Sequence, residues 1–334
     1  MCFWLCVNFL CMSFSSPYTS IIFYLIVFSF SACLFILISR LSDSGGIERF
    51  ATAVFFINLC LIIYLILSNY SFRGVRRWIF INGVSYQPSE FLKISFPVVL
   101  SSLFASKRWG SSILTSALSV ICLLLQPDIG NSILLSLVGL SMAFFWGVRK
   151  RFILLMLLIN SLLILNFSIK VGYSNKRLRS FLYQGSSSIS YQSFRAIQAI
   201  QNGGIVGLGA GKGQIKRFIP DAYSDFIFAV IGEELGLIGC MMVAASFLYF
   251  FLSSTFFAAR AIKSIEGGSI FGISNTIFLQ SWIHMASVVG IVPTKGITLP
   301  FISHGGSSLL ASWIAVAMIV AMARNIKPYT QLEE

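Results

Sequence analysis

Apolar residues occupy this chain in long blocks separated by short polar or basic interruptions, near 21–39, 49–68, 89–106, 111–127, 131–147, 152–169, 226–252, 269–292 and 307–323. Each block approaches the roughly 20 residues an α-helix needs to cross a hydrocarbon layer about 30 Å thick. None keeps the period-two alternation of a half-buried strand, so the pattern predicts nine spanning helices. A further apolar piece, MCFWLCVNFLCMSF, opens at Met1 without a polar lead-in. It is too short to span and lacks the basic flank and small-residue cleavage site of a signal peptide. It is expected to be the outer half of a first helix whose beginning is missing. The chain therefore reads as an all-α polytopic membrane protein, one integral membrane domain over 1–334.

Composition agrees with the pattern. Hydrophobic residues make up 57% of the chain and charged residues 10%, a balance that excludes an ordinary soluble domain. Seven cysteines all fall within apolar segments and form no CxxC, so they read as small packing residues. The two histidines, His284 and His304, make no HExxH pattern, which leaves a zinc enzyme of that type unsupported.

Sidedness follows from the short loops. SKRWG at 106–110, VRKR at 148–151, Arg260 with Lys263, and Arg324 with Lys327 share one side, which the positive-inside rule makes cytoplasmic. The opposite side carries 70–88, the long segment 170–224 and the loop 293–306. Against that rule, FRGVRRW places Arg73, Arg76 and Arg77 in a short outer loop, and an anionic ligand outside the membrane would explain it. Lys176, Arg177, Arg179, Lys212, Lys216 and Arg217 lie in the long outer segment, where a solvated surface is an equally good reading because long loops translocate regardless of charge.

The long segment contains QGSSSISYQS, a helix candidate over FRAIQAIQ, and then NGGIVGLGAGKGQIKRFIPDAYSD. The glycine run fails the phosphate-loop template, since Val206 stands where the first glycine belongs and Gly213 follows Lys212. Its amides can still cradle an anion, or the glycines can simply make turns.

Only 11 acidic residues occur in the chain, and Asp225, Glu233 and Glu234 fall together in YSDFIFAVIGEELG. Asp225 is expected to begin an inward helix, capped by Ser224 or Asp221, where the helix N-terminus favours an ionised carboxylate. It is a candidate general base. Glu233 and Glu234 follow about 12 Å deeper, where facing lipid would cost each roughly 2.5–3.5 kcal/mol. They are expected to be buried structural or coupling groups, with Lys93 as partner. Glu90 and Lys93 form an i, i+3 pair in QPSEFLK. Asp128 in QPDIGN reads equally as a cap or an outer ligand. The Pro and Gly residues of PTKGITLPFISHGGSS, with Lys295, predict broken backbone lining a second outer wall.

These stretches, together with GVRRWIFINGVSYQPSEFLK, LLLQPDIGN and KRLRSFL, resemble the SEDS family (shape, elongation, division and sporulation) in order and spacing over nearly the whole chain. PTKG with ITLP is closer to the division members than to the elongation members. The resemblance implies a SEDS-type bundle of about ten transmembrane helices, the first truncated here, with a large extracytoplasmic loop over 170–225 carrying the active site. It implies a peptidoglycan glycosyltransferase that polymerises lipid II in septal cell-wall synthesis, in the bacterial cytoplasmic membrane. The expected partners are a class B penicillin-binding protein and other division membrane proteins, with no nucleic acid.

Carried over by position, Asp225 matches the family's essential acid, Trp78 a functionally important tryptophan and Lys295 the division-type loop lysine. The chain departs from the family pattern at Asp221, Tyr223, His284 and His304, and lacks a proline-tryptophan stretch after SFL. Asp225 is then expected to deprotonate the acceptor sugar 4-hydroxyl. The lipid diphosphate leaving group is expected to meet Arg73, Arg76, Arg77, Arg177, Arg179, Lys216 and Lys295, with Trp78 positioning sugar or lipid. No cofactor is assigned, and a divalent cation stays open. The alternatives are a lipid II flippase using Glu90, Lys93, Glu233 and Glu234 as a polar path, an elongation polymerase, and an inactive scaffold.

Overall fold

The computed structural model describes residues 44–68, 76–81, 84–170, 188–293 and 296–326. The opening apolar piece, the block at 21–39, and Arg73, Arg177, Arg179 and Lys295 lie outside the described residues.

Within them the chain runs α1 (Ser44–Leu67), β1 (Ile79–Ile81), β2 (Val84–Tyr86), α2 (Pro88–Ala105), α3 (Trp109–Leu125), α4 (Ile129–Phe145), α5 (Lys150–Lys170), α6 (Ser188–Gly203), a 3-10 turn (Ile215–Phe218), α7 (Ile227–Ala259), α8 (Ile265–Val288) and α9 (Gly306–Asn325). Every apolar block from residue 49 onward has its helix. Four helices, α1, α5, α7 and α9, are long and apolar enough to cross a membrane unaided, and α3 and α4 are shorter apolar helices. Exposed leucines along α5, among them Leu154, Leu158, Leu162 and Leu165, are what a lipid-facing helix requires, since hydrocarbon replaces water as their surroundings. The protein is a multi-pass helical membrane protein.

The described residues fall into two compact units. One is drawn from 168–249 and 278–309, the other from 44–167, 250–277 and 310–326.

In the second unit α1 packs most extensively on α2, and α4 packs on α2 and α3. Local chemistry sets the boundaries. Pro88 opens α2, where a missing N–H costs nothing because the first amides of a helix have no partner. Asp128 caps α4, its carboxylate accepting from Asn131 N at 3.4 Å and Asn131 Nδ2 at 2.8 Å. The hairpin β1–β2 pairs Ile79 with Tyr86 and Phe80 with Ser85. In sequence Asn82-Gly83 stand between its strands, the pair favoured in two-residue hairpin turns. Tyr86 Oη donates to Asn58 Oδ1 at 2.6 Å, and Asn58 Nδ2 donates to Val54 O at 2.8 Å, which satisfies a buried amide in the middle of α1. Burial pushes the Tyr86 phenol up from its ordinary value, with the Asn58 bond acting the other way.

Between helices, polar side chains meet in pairs. Asn160 Nδ2 donates to Ser116 Oγ at 3.0 Å, and Asn275 Nδ2 donates to Ser141 Oγ at 2.6 Å. Such bonds fasten membrane helices where no hydrophobic force distinguishes a neighbouring helix from lipid. Small residues bring backbones close for the same reason: a Cβ on Gly272 of α8 would stand 2.6 Å from both Pro97 Cβ and Met142 Sδ. Beside it Phe271 stacks on Phe145 with ring centroids 4.3 Å apart.

Gly272→Val should therefore overpack this contact and destabilise the protein by about 1–3 kcal/mol, read as a lower thermal midpoint in detergent. An unchanged midpoint would show that the contact gives way freely.

Candidate active site

In the first unit the acidic cluster organises the outer segment. α7 begins at Ile227, so Asp225 stands two residues ahead of the helix, in a turn, rather than in its first helical turn. The turn is closed by Asp221 O, which accepts from Ser224 N at 3.1 Å and from Asp225 N at 3.0 Å. Asp225 is partly buried. A Cβ built on Gly296 would stand 3.4 Å from Asp225 Oδ2, ordinary van der Waals contact, so the loop after α8 lies beside the carboxylate; glycine is favoured there by its φ of 65°.

That loop is fastened to the Asp225 turn on both sides. His304 N donates to Tyr223 O at 2.8 Å, and Ser303 Oγ donates to Ser224 O at 2.7 Å. The loop is itself held from α8: Gln280 Nε2 donates to Thr298 O at 2.9 Å, and His284 Nδ1 lies 2.7 Å from Ile297 O. The broken backbone expected over 293–308 is thus tied to protein at 297–299 and 303–304.

The two glutamates look to the glycine-rich segment. Glu233 has 0% exposure. Its Oε1 accepts from Gln214 N and Ile215 N at 2.8 Å each and from Asn202 Nδ2 at 3.2 Å. Its Oε2 accepts from Lys216 N at 3.1 Å. The segment's amides do cradle an anion, and the anion is the chain's own carboxylate. Glu234 Oε1 pairs with Lys216 Nζ.

Two expectations change here. Lys216, placed among the outer cations by sequence, is buried and ion-paired. Lys93, expected to partner the glutamates, instead reaches Glu90 Oε1 at 2.7 Å, the local i, i+3 pair, with both residues buried.

α7 is also broken. Gly236 sits at φ 67°, ψ −164°, a conformation open to glycine because it has no Cβ. The break leaves carbonyls and amides without helical partners, and the glycine run supplies them. Leu208 N and Gly209 N donate to Glu233 O and Glu234 O at 3.1 and 3.0 Å, while Leu237 N and Ile238 N donate to Gly204 O and Ile205 O at 2.9 and 3.2 Å. A Cβ on Gly207 would stand 2.6 Å from Gly236 N. These glycines serve close backbone approach, the alternative to turn-making and phosphate binding that the sequence did not disclose.

In the second unit, the short outer loop divides its arginines. Arg76 is exposed, with Nη1 donating to Ile66 O at 3.0 Å. Arg77 is turned into the protein: Nε donates to Gln126 O at 2.9 Å, Nη2 to Pro127 O, and Nη1 lies 4.0 Å from Asp128 Oδ1. Asp128 is therefore both a helix cap and a neighbour of Arg77. Trp78, partly exposed, directly precedes β1. Among the described residues no group of three or more His, Cys, Asp or Glu side chains converges to hold a metal ion.

Comparisons with known proteins agree on one family. The profile of a cell cycle protein family, FtsW/RodA/SpoVE, matches residues 7–328. A protein of Geobacter sulfurreducens named "Probable peptidoglycan glycosyltransferase FtsW" is 34% identical over 267 residues, 76% of this chain and 72% of that protein. A protein of the same name from Wigglesworthia glossinidia brevipalpis is 34% identical over 312 residues, 89% of this chain and 81% of its own. Among solved structures, a chain of a peptidoglycan synthase complex, described for its coordination of polymerization and crosslinking, superposes with TM-score 0.81 at 20% identity. That match covers 96% of this chain and 95% of the other and speaks to the fold.

The buried Lys216–Glu234 pair yields a stability test. Lys216→Met strands a buried carboxylate and should cost about 3–5 kcal/mol, whereas Lys216→Met with Glu234→Gln should recover most of it. Thermal unfolding of the three proteins in detergent measures both. If Lys216→Met alone left the midpoint unchanged, Lys216 would return to the set of outer cations.

Proposed function

This chain belongs to the FtsW/RodA/SpoVE family of cell cycle proteins, and on that premise we propose how its outer residues act as a septal glycan polymerase. The protein is a peptidoglycan glycosyltransferase acting on lipid II. The observation that carries the chemical assignment is the placement of Asp225: a partly buried carboxylate in a hydrogen-bonded turn at the outer mouth of α7, with the loop at Gly296 beside it.

Asp225 accepts the proton of the acceptor sugar 4-hydroxyl as that oxygen attacks the anomeric carbon of the donor. The bond to the lipid diphosphate breaks in the same displacement and the pair of electrons leaves with the phosphate. One displacement with no protein nucleophile inverts the anomeric centre. Developing charge on the diphosphate is met by outer cations, for which Arg73, Arg76, Arg177, Arg179 and Lys295 are the candidates. Lys295 adjoins Gly296 in sequence. Arg77 and Lys216 have other duties: the first holds the turn at 126–128 and the second neutralises Glu234. Trp78 offers a flat apolar surface to sugar or lipid. The polymerase works beside a crosslinking enzyme of the class B penicillin-binding type, at the division septum with other membrane proteins of that machinery. The flippase alternative drew on Glu90, Lys93, Glu233 and Glu234 as a polar path, and each of these is engaged in a fixed bond.

Glycan polymerisation from fluorescent lipid II, by this protein purified with its crosslinking partner, tests the assignment. Wild type should give a ladder of glycan chains, and Asp225→Ala should lose about 10²–10⁴-fold in rate, the range for a general base, with unchanged membrane insertion. A mutant that polymerises at the wild-type rate would remove Asp225 from the base role.

A further inference from the structure

We propose that Glu233 is a positioning residue for Asp225, an internal anion that locks the loop between them into its working conformation; the catalytic part of this claim rests on the glycosyltransferase reading. The geometry is a closed ring. From Asp225 the chain enters α7 and reaches Glu233 eight positions later. From there the carboxylate crosses to three consecutive amides at Gln214, Ile215 and Lys216. The return path from Lys216 to Asp225 carries local hydrogen bonds at both ends: Arg217 N to Gln214 O at 3.3 Å and Ile219 N to Lys216 O at 3.3 Å at one, and Asp225 N to Asp221 O at 3.0 Å at the other. Ile219 and Ala222 are buried along it. Two links close the ring across space: the Glu234–Lys216 ion pair holds one side chain, and the Glu233 carboxylate holds the backbone itself, at three consecutive residues.

The Glu234–Lys216 pair anchors a side chain, whereas the backbone of 214–216 is anchored by Glu233. A Cβ on Gly213 would stand 2.8 Å from Glu233 Oε2, so the segment is drawn hard against the acid. Hydrogen bonds to an ionised acceptor are about twice as strong as neutral ones. A glutamine here keeps one acceptor oxygen but turns an NH2 group toward at least the Lys216 amide, leaving that buried donor without an acceptor. Asn202, at the end of α6, donates to the same carboxylate, so the acid also ties α6 to the loop. An external anion is excluded while Glu233 fills the cradle, and removing its side chain should open the cradle to a small carboxylate.

Two measurements test this on the full chain with its crosslinking partner. In glycan polymerisation, Glu233→Ala should lower kcat by about 10²-fold, the penalty of a misplaced catalytic group, with KM for lipid II within about twofold. Added acetate should restore about tenfold of the loss, the worth of charged hydrogen bonds, and acetamide should not. Equal effects of acetate and acetamide, or an unchanged kcat, would overturn the proposal, because a merely space-filling role does not distinguish them.

Should Glu233→Ala fail to fold, Glu233→Gln takes its place in a second readout, tryptic cleavage at the exposed Lys212 and Arg217. Cleavage about tenfold faster than wild type at an unchanged thermal midpoint is expected, as for a locally opened segment. Cleavage at the wild-type rate would overturn the proposal. A wild-type protein that makes no glycan would sink the glycosyltransferase reading, while the cleavage comparison would still decide whether Glu233 holds the loop.

Discussion

A carboxylate with no solvent exposure must find donors for its lone pairs inside the protein, and the first unit is built around how Glu233 does so. Its four donors come from Asn202 and from the backbone at 214–216, which fixes where the outer segment can run. The neighbouring Glu234 obeys the same demand by drawing Lys216 inward. Two buried acids thus convert a polar, glycine-rich stretch into a defined structure. A net charge of +13 on the whole chain makes cations plentiful, yet the one used here is set by geometry rather than by supply.

The same rule of satisfaction explains the break in α7. A helix interrupted within a span exposes carbonyls and amides that lipid cannot serve. Here the run 203–209 lies across the break and pairs with both sides of it, two bonds to each. Glycine is needed on both partners, at Gly207 and Gly236, because a Cβ on either would enter the other's backbone. Leu235, Leu237, Ile238, Ile205 and Val206 remain exposed around the junction, an apolar rim suited to lipid.

In the second unit a comparable economy of polar groups sets the outer hairpin. Arg77 spends its guanidinium on the carbonyls of Gln126 and Pro127, and Asp128 beside them caps α4. Tyr86 closes the other strand onto Asn58. The hairpin is thereby held from both strands, and Trp78 is presented from a fixed base. An arginine in a short outer loop reads from sequence as a ligand for an external anion. For Arg77 the ligand is the protein's own backbone, while Arg76 stays at the surface.

Much of this molecule was legible without coordinates. The spans from residue 49 onward, the i, i+3 pair Glu90–Lys93 and the concentration of acids at 225–234 all follow from local quantities: helix length against bilayer thickness, the 3.6-residue period, and the cost of a charge in hydrocarbon. Local quantities are properties of neighbours in sequence, so the sequence by itself determined them. What only tertiary structure decided is which distant group answers each buried charge. Lys216 for Glu234, three amides for Glu233, and a glycine run for the gap at Gly236 depend on where the chain returns after tens of residues. Several lysines and many amides compete on equal terms until packing places one of them within hydrogen-bond reach.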